Sequence, residues 1–298
     1  MSEHDKIAER IVNRFLDRND FPLQKFMNFK KYSDLITTSS LYTCRSDRFN
    51  DTKEACLFVE ESILSLKNIE DNHNNLCTFL DYDEITDPVE RITILLKSIF
   101  GFNHPRHMNI IGNRLVRPDH DDIHGYSGFD YKSAQKILEF DVDLLRINTY
   151  ITCYCCNLSI KKHMIEDYGE IIIRTSKERL RQAIHIDASE MDYEAYPVVY
   201  FEENGKDFSS ISFFQNAIYN YSLFGCKRVS YDKEEEFRIV VTRKSIIEET
   251  EDHISLKIDL EKLIEEIIVT NDSDLEKVKK LNETCGYSFK ISCQYPIE

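Results

Sequence analysis

The order of short apolar runs after residue 149 limits the fold most. Tyr150–Cys156, Glu170–Arg174, Pro197–Phe201, Phe237–Val241 and Tyr287–Cys293 each read as a strand. Helical spacing marks Lys177–Ile184, Ser212–Leu223, Asp259–Ile267 and Asp274–Thr284. The two element types do not alternate regularly, which argues against a doubly wound parallel sheet. With eight glycines in 298 residues, a Gly-rich phosphate loop has little room to exist. The expected class is therefore α+β, with a mixed, mainly antiparallel sheet core and flanking helices.

The N-terminal half is more helical. Ile7, Ile11, Phe15 and Leu16 predict an amphipathic helix near 5–18, and helices are also expected at Tyr32–Ser39 and Glu54–Leu66. Leu41–Thr43 begins a strand. Asp87-Pro88-Val89-Glu90 combines a cap residue, a proline at the first helical position and an acid that suits the first turn. A Gly-, His- and Asp-rich loop follows over Gly101–Gly128, then a helix at Ser133–Arg146. The block at about 70–146 reads as a helical insertion in one domain spanning 1–298.

A formal net charge of -15 argues against a broad nucleic-acid footprint, although Lys227-Arg228 forms a local basic patch. Nine cysteines without a signal peptide suggest a reducing, cytoplasmic setting. No apolar run approaches the roughly 18 residues of a membrane span. Cys153, Cys155 and Cys156 lack a second pair at zinc-ribbon spacing, and they read as buried thiols. His104, His107, His120 and His124 lie in a loop context unlike that of paired metal ligands, so no metal is expected. There is no Gly-x-Ser-x-Gly elbow and no recognisable hydrolase triad.

Chemistry concentrates in two runs. In Tyr231–Arg238, strand alternation puts Glu234, Glu236 and Arg238 on one face and Glu235, Phe237 and Ile239 on the other. Phe237 and Ile239 should face the core, with Glu235 at a rim. Alternate residues would stand about 7 Å apart, from a rise of roughly 3.3 Å per residue. A carboxylate held by Arg238 suits action on a substrate hydroxyl or a developing cation. In Leu41–Asp51, Arg45 and Arg48 suit phosphate through their planar forks, and Asn50 and Asp51 shape a loop. A third segment offers His163 as a proton-transfer group and Tyr168-Gly169 as a turn. The two charged runs are expected to form opposite sides of one cleft, with Glu236 as the stronger catalytic candidate.

Leu41, Tyr42, Phe49, Asn50, Asp51 and Glu54 resemble a bacterial domain family of unknown function with a Phe-Asn-Asp-Pro-x-Glu signature. Tyr231, Glu234, Glu236, Phe237 and Arg238 are similar to that family's later Tyr-Glu-x-Glu-Trp-Arg element. His163, Tyr168-Gly169 and Pro197–Tyr200 fall between them in the expected order, and a strand–helix–strand is expected from Ile267. Thr52 stands where the family has proline, and the chain has no tryptophan. The family is similar to abortive-infection proteins of the AbiGi type, which implies a role in phage defence or toxin action.

The chain also resembles, more distantly, ADP-ribosyltransferases of the DarT type, through Phe26–Phe29, Tyr32–Ile36, Leu41–Arg48 and Glu236. That likeness implies NAD as substrate and a macromolecular acceptor, either protein or nucleic acid. Arg45 or Arg48 would hold the NAD phosphates, and Asn50, Asp51, Tyr168 and Arg238 would complete the cofactor site. Glu236 would engage the nicotinamide ribose, with Glu234 and His163 beside it. Two other classes stand against this one: a non-catalytic binding, sensor or antitoxin module of a defence system, and a metal-dependent nuclease.

Overall fold

The computed structural model describes residues 20–49, 143–187, 189–201, 223–244 and 250–295. The helices expected at 5–18, Glu54–Leu66 and Ser212–Leu223 fall wholly or almost wholly outside them. So does the 70–146 block, apart from its last residues, which are helical from 143.

The chain enters on β1 (Pro22–Met27), whose proline takes the first strand position, where a missing N–H is tolerated. Asn28 caps α1 (Phe29–Thr38) by accepting from the Lys31 N–H, and Ser39 ends it in the left-handed region at φ 47°. Tyr32, Leu35 and Ile36 form the buried stripe of α1. Then follow β2 (Ser40–Arg45), β3 (Thr149–Cys155), α2 (Lys162–Tyr168), β4 (Ile171–Ser176) and α3 (Lys177–Ala183). The chain continues through β5 (Met191–Pro197), β6 (Val199–Phe201), β7 (Cys226–Arg228), β8 (Glu236–Arg243) and β9 (His253–Lys257). It closes with α4 (Leu260–Leu263), β10 (Glu266–Val269), α5 (Asp272–Cys285) and β11 (Ile291–Cys293).

Nine of these strands form one sheet, in the order β11-β10-β4-β1-β3-β2-β9. Strand β8 lies on β3, and β5 lies on β8. All ladders in this sheet are antiparallel except β10 with β11. The protein is thus α+β with a mainly antiparallel sheet. The larger core joins Leu23, Tyr154, Ile171, Ile173, Phe237, Ile239 and Ile267 to the buried faces of α1, α3 and α5. A smaller one on the other face gathers Phe26, Cys155, Ile172 and Ile268 against Met164 of α2. No described helix is long and apolar enough to cross a membrane.

Strand β3 is the pivot. One edge pairs with β8 along its whole length. On its other edge, β2 meets Tyr150 and Ile151, whereas β1 meets only Cys155. Between those contacts the sheet forks, and a strand edge left in a fork exposes peptide groups that need partners. Lys25 supplies one, its Nζ donating to the Cys153 carbonyl and to Thr152 Oγ1, both at 2.8 Å. Burial pushes the Lys25 ammonium down to about 8.

Several sequence expectations need correction. The helix expected over Asp259–Ile267 stops at Leu263, and Glu266–Val269 is a strand buried along its length. The β-branched run Ile267-Ile268-Val269 suits a central strand covered on both faces. Pro197–Phe201 is not one strand. Pro197 ends β5 and Val199 starts β6, while the Val198 N–H turns to the Glu236 carbonyl at 2.9 Å. Only the last three residues of Tyr287–Cys293 pair as a strand. The strand–helix–strand expected from Ile267 is present as β10, α5 and β11.

The Tyr32 hydroxyl ties α1 to α5 by donating to Asn282 Oδ1 at 2.7 Å, with both residues buried. Tyr32→Phe should cost about 1–3 kcal/mol, the penalty of leaving that acceptor dry and unpaired. Urea denaturation measures it, and an unchanged midpoint would disprove the bond's contribution.

Candidate functional site

The charged run is built on a turn, not on strand alternation. A 3-10 helix covers Val229–Glu234, Glu235 takes left-handed angles (φ 44°, ψ 52°), and β8 begins at Glu236. Left-handed backbone costs a non-glycine residue roughly 1–2 kcal/mol. Four bonds hold Glu235 there. Its N–H donates to the Asp232 carbonyl at 3.1 Å, and its carbonyl accepts from the Cys156 N–H at 2.8 Å. Its Oε1 accepts from Asn157 Nδ2 at 2.8 Å and Lys161 Nζ at 3.0 Å. The turn sends Glu235 away from its neighbours and lets Glu234 and Glu236 converge on one lysine.

That lysine is Lys227, on β7. Its ammonium sits 2.6 Å from Glu234 Oε2 and 3.4 Å from Glu236 Oε2, 4.5 Å from the centre of the Tyr231 ring. Arg238 is fully buried and directs Nε (3.1 Å) and Nη2 (2.7 Å) to the same Glu236 oxygen. Its Nη1 donates to the Phe224 carbonyl at 2.6 Å. The Glu236 N–H donates to the Tyr200 hydroxyl at 2.8 Å. The Tyr168 hydroxyl, at the end of α2, donates to Glu234 Oε1 at 3.0 Å.

Burial by itself would raise the Glu236 pKa. Arg238 and Lys227, aided by a hydrogen bond with the Cys153 thiol, outweigh it and hold the carboxyl at about 2. Burial, and then the Glu236 charge, push Cys153 itself upward, so the thiol keeps its proton. Burial and the Glu234 carboxylate do the same for the Tyr168 phenol. Glu236 is therefore an anion at neutral pH. It can accept hydrogen bonds or stabilise positive charge, but it cannot donate a proton. The hydrogen bonds from Lys227 and Arg238 converge on its Oε2.

Of the nine site residues expected from sequence, Glu234, Glu236, Arg238 and Tyr168 come together. Phe237 and Ile239 face the larger core as expected, and the face bearing Glu236 and Arg238 is buried too. Among the described residues, the two charged runs do not come together as the expected cleft requires. Arg45 pairs with Tyr150 and Glu236 with Cys155, at opposite ends of β3. Five residues of strand separate them, or about 17 Å at roughly 3.4 Å per residue.

Arg45 also has its donors in use, toward Asp47 at 2.7 and 3.1 Å, Thr250 at 2.7 and 3.1 Å, and Asp252 at 3.3 Å. Arg48 pairs with Asp252 at 2.8 Å. His163 lies on α2, where its Nε2 is buried without a partner among the described residues. Asn50 and Asp51 lie outside the described residues.

Sequence reasoning did not place Lys227, Tyr200 or Cys153 in the site. Lys227 stood out only as part of a basic pair, and the thiol only as a buried one. No spacing rule links 153, 200 and 227; the register of β3 with β8 and the path of β6 and β7 do. Among the described residues, no group of three or more His, Cys, Asp or Glu side chains is placed to hold a metal ion. Comparison with protein-family models, with curated proteins and with solved structures finds no match for this chain.

Proposed function

We infer that the chain is an ADP-ribosyltransferase-like effector of bacterial antiphage defence, moving ADP-ribose from NAD to a protein or nucleic-acid acceptor. The observation that carries this reading is the buried Glu236, anionic at neutral pH, with the hydrogen bonds from Lys227 and Arg238 gathered on its Oε2. In this role Oε1 accepts a hydroxyl of the nicotinamide ribose, and the carboxylate stabilises the oxocarbenium-like charge that develops as the glycosidic bond breaks. Lys227 and Arg238 hold the carboxylate in place. Glu234 and Tyr168, nearer the surface, face the acceptor. Arg45 and Arg48 take no part in this role, because Arg45 pairs with the end of β3 remote from Glu236 and both arginines are engaged by Asp47 and Asp252.

Labelled NAD incubated with the purified protein and cell extract should be cleaved or transferred, and Glu236→Gln should lower the rate by about 10²–10³-fold. Absence of any NAD turnover, or an undiminished rate in Glu236→Gln, rejects the reading. The second reading is a binding or antitoxin module. It is favoured by the fact that Glu236, Arg238 and Lys227 already satisfy one another inside the fold. A protein that is harmless on expression and inert toward NAD would match it.

A further inference from the structure

Strand β5 is an outer edge of the large sheet. It pairs with β8 in unbroken register, from Met191 with Arg243 to Pro197 with Phe237, and with no other described strand. The Lys244 N–H donates to the Glu190 carbonyl and the Val198 N–H to the Glu236 carbonyl, each at 2.9 Å. Even-numbered positions of β5 therefore bond to β8, and by alternation the odd-numbered ones turn their peptide groups outward. Of these, the Met191 N–H is taken by the Asp187 carbonyl at 3.1 Å, and Pro197 has no N–H. The peptide groups of Tyr193 and Ala195 make no hydrogen bond among the described residues.

Native sheets guard such edges with bulges, prolines or inward-turned lysines. The open stretch of β5 has none of these. Its ladder is unbulged, its proline comes at the last position, and its charges are acidic.

The side chains narrow the choice of partner. Asp192 and Glu194 share one face, and both reach solvent. Asp192 has Lys244 at 3.4 Å, with its own side chain 70% exposed. Glu194 has no cation among the described residues, and partial burial, then the Asp192 charge, push its pKa up. On the other face, Met191, Tyr193 and Ala195 pack partly buried against the larger core. An added strand fits with basic residues opposite the acids and apolar ones opposite Tyr193 and Ala195. A net charge of -15 draws in a cationic segment and repels a phosphate backbone. A second copy of this chain fits poorly. Each well-overlapped antiparallel register sets Asp192 or Glu194 opposite an acid of the other copy, and like charges directly opposite are destabilising.

We propose that the outer edge of β5 binds a partner protein through an extended segment in which basic and apolar residues alternate, added as an antiparallel strand. Main-chain bonds to Tyr193 and Ala195 supply affinity, and the two acids supply selectivity. Binding does not depend on NAD chemistry, although β5 runs on to Tyr196, the pairing partner of Arg238.

The full chain should be titrated with a blocked, fluorescently labelled peptide, Lys-Val-Lys-Val-Lys, following anisotropy and the hydrogen exchange of residues 191–197. The peptide should bind saturably, more weakly as salt rises, and slow exchange over that stretch. N-methylation of both valines, which removes the donors facing β5, should abolish binding, and Glu-Val-Glu-Val-Glu should not bind. Asp192→Asn combined with Glu194→Gln should weaken binding about threefold or more, the worth of two cross-strand ion pairs. The peptide variants keep the test valid if the doubly substituted protein folds poorly. No saturable binding, equal binding of the N-methylated or the acidic peptide, or a smaller loss in the folded double variant overturns the proposal. So does protection of 191–197 that grows with protein concentration alone, since a second copy would then hold the edge.

Discussion

Replacing Arg238 by methionine should destabilise the protein by about 3–5 kcal/mol, because it removes the principal partner of a buried carboxylate. Arg238 is fully buried and places two donors on Glu236 Oε2. Lys227 remains within 3.4 Å, but Glu234 holds it more closely, at 2.6 Å. Urea denaturation reads the loss, and a value under about 1 kcal/mol would show that the pair does not hold the site together. Adding Glu236→Gln should recover much of it, since the orphaned charge is then gone.

The same pair sets the acid response. The Glu236 pKa is lowered in the fold, from 4.5 to about 2. A depressed carboxyl stabilises the protein fully above its unfolded value, and the contribution is lost as pH falls through the folded one. The window therefore runs downward from about pH 4.5 to about pH 2. Glu236→Gln should flatten the stability curve there and leave its slope at neutral pH unchanged.

Gly169→Ala should cost about 3 kcal/mol or more, combining the strain of a positive φ with overpacking against backbone. Gly169 ends α2 at φ 123°, where its N–H donates to the Ile165 carbonyl at 2.9 Å. A Cβ there would lie 2.5 Å from the Met27 carbonyl carbon and closer still to the Asn28 nitrogen. Backbone at the junction of β1 and α1 cannot move aside as a side-chain tip can. Gly286→Ala is the matched control. It also has positive φ, at 80°, but nothing lies within 4 Å of the added carbon, so about 1 kcal/mol is expected from strain alone. Equal losses for the two variants would refute the steric account. Gly169→Ala should also displace Tyr168, the residue before it, from Glu234, and a fall in the Tyr168 pKa would report that.

The legible part of this fold was the part written in local pattern. Strands β3, β4 and β8 read correctly because Tyr150–Cys155, Ile171–Ile173 and Phe237–Val241 are apolar runs too short for helices. The edge strands β5 and β9 were invisible. Asp192 and Glu194 in β5 and His253 in β9 look like loop residues until a neighbouring strand pairs with them. In the site, Glu236 with Arg238 was readable from spacing two on a strand. Their partner Lys227 was not, because a 3-10 turn and a left-handed Glu235 bring it back. The mistaken cleft with Arg45 has a definite cause: both runs touch β3, and only the register reveals that they touch its opposite ends.

The ladder arrangement also bears on how quickly the protein reaches its native state. Among the described residues, no ladder joins two strands through a tight turn. The most local, β10 with β11, pairs Ile267 with Ile291 across the whole of α5, while β2 and β9 bring Ser40 to Lys257. Each ladder therefore requires a long loop to close before its own hydrogen bonds repay the lost entropy. Contact order of this kind places folding at the slow end for a domain, with helical turns such as those of α5 forming well ahead of the sheet. During that interval the edges of β5, β9 and β11 await their ladders, and unpaired strand edges invite other copies of the chain.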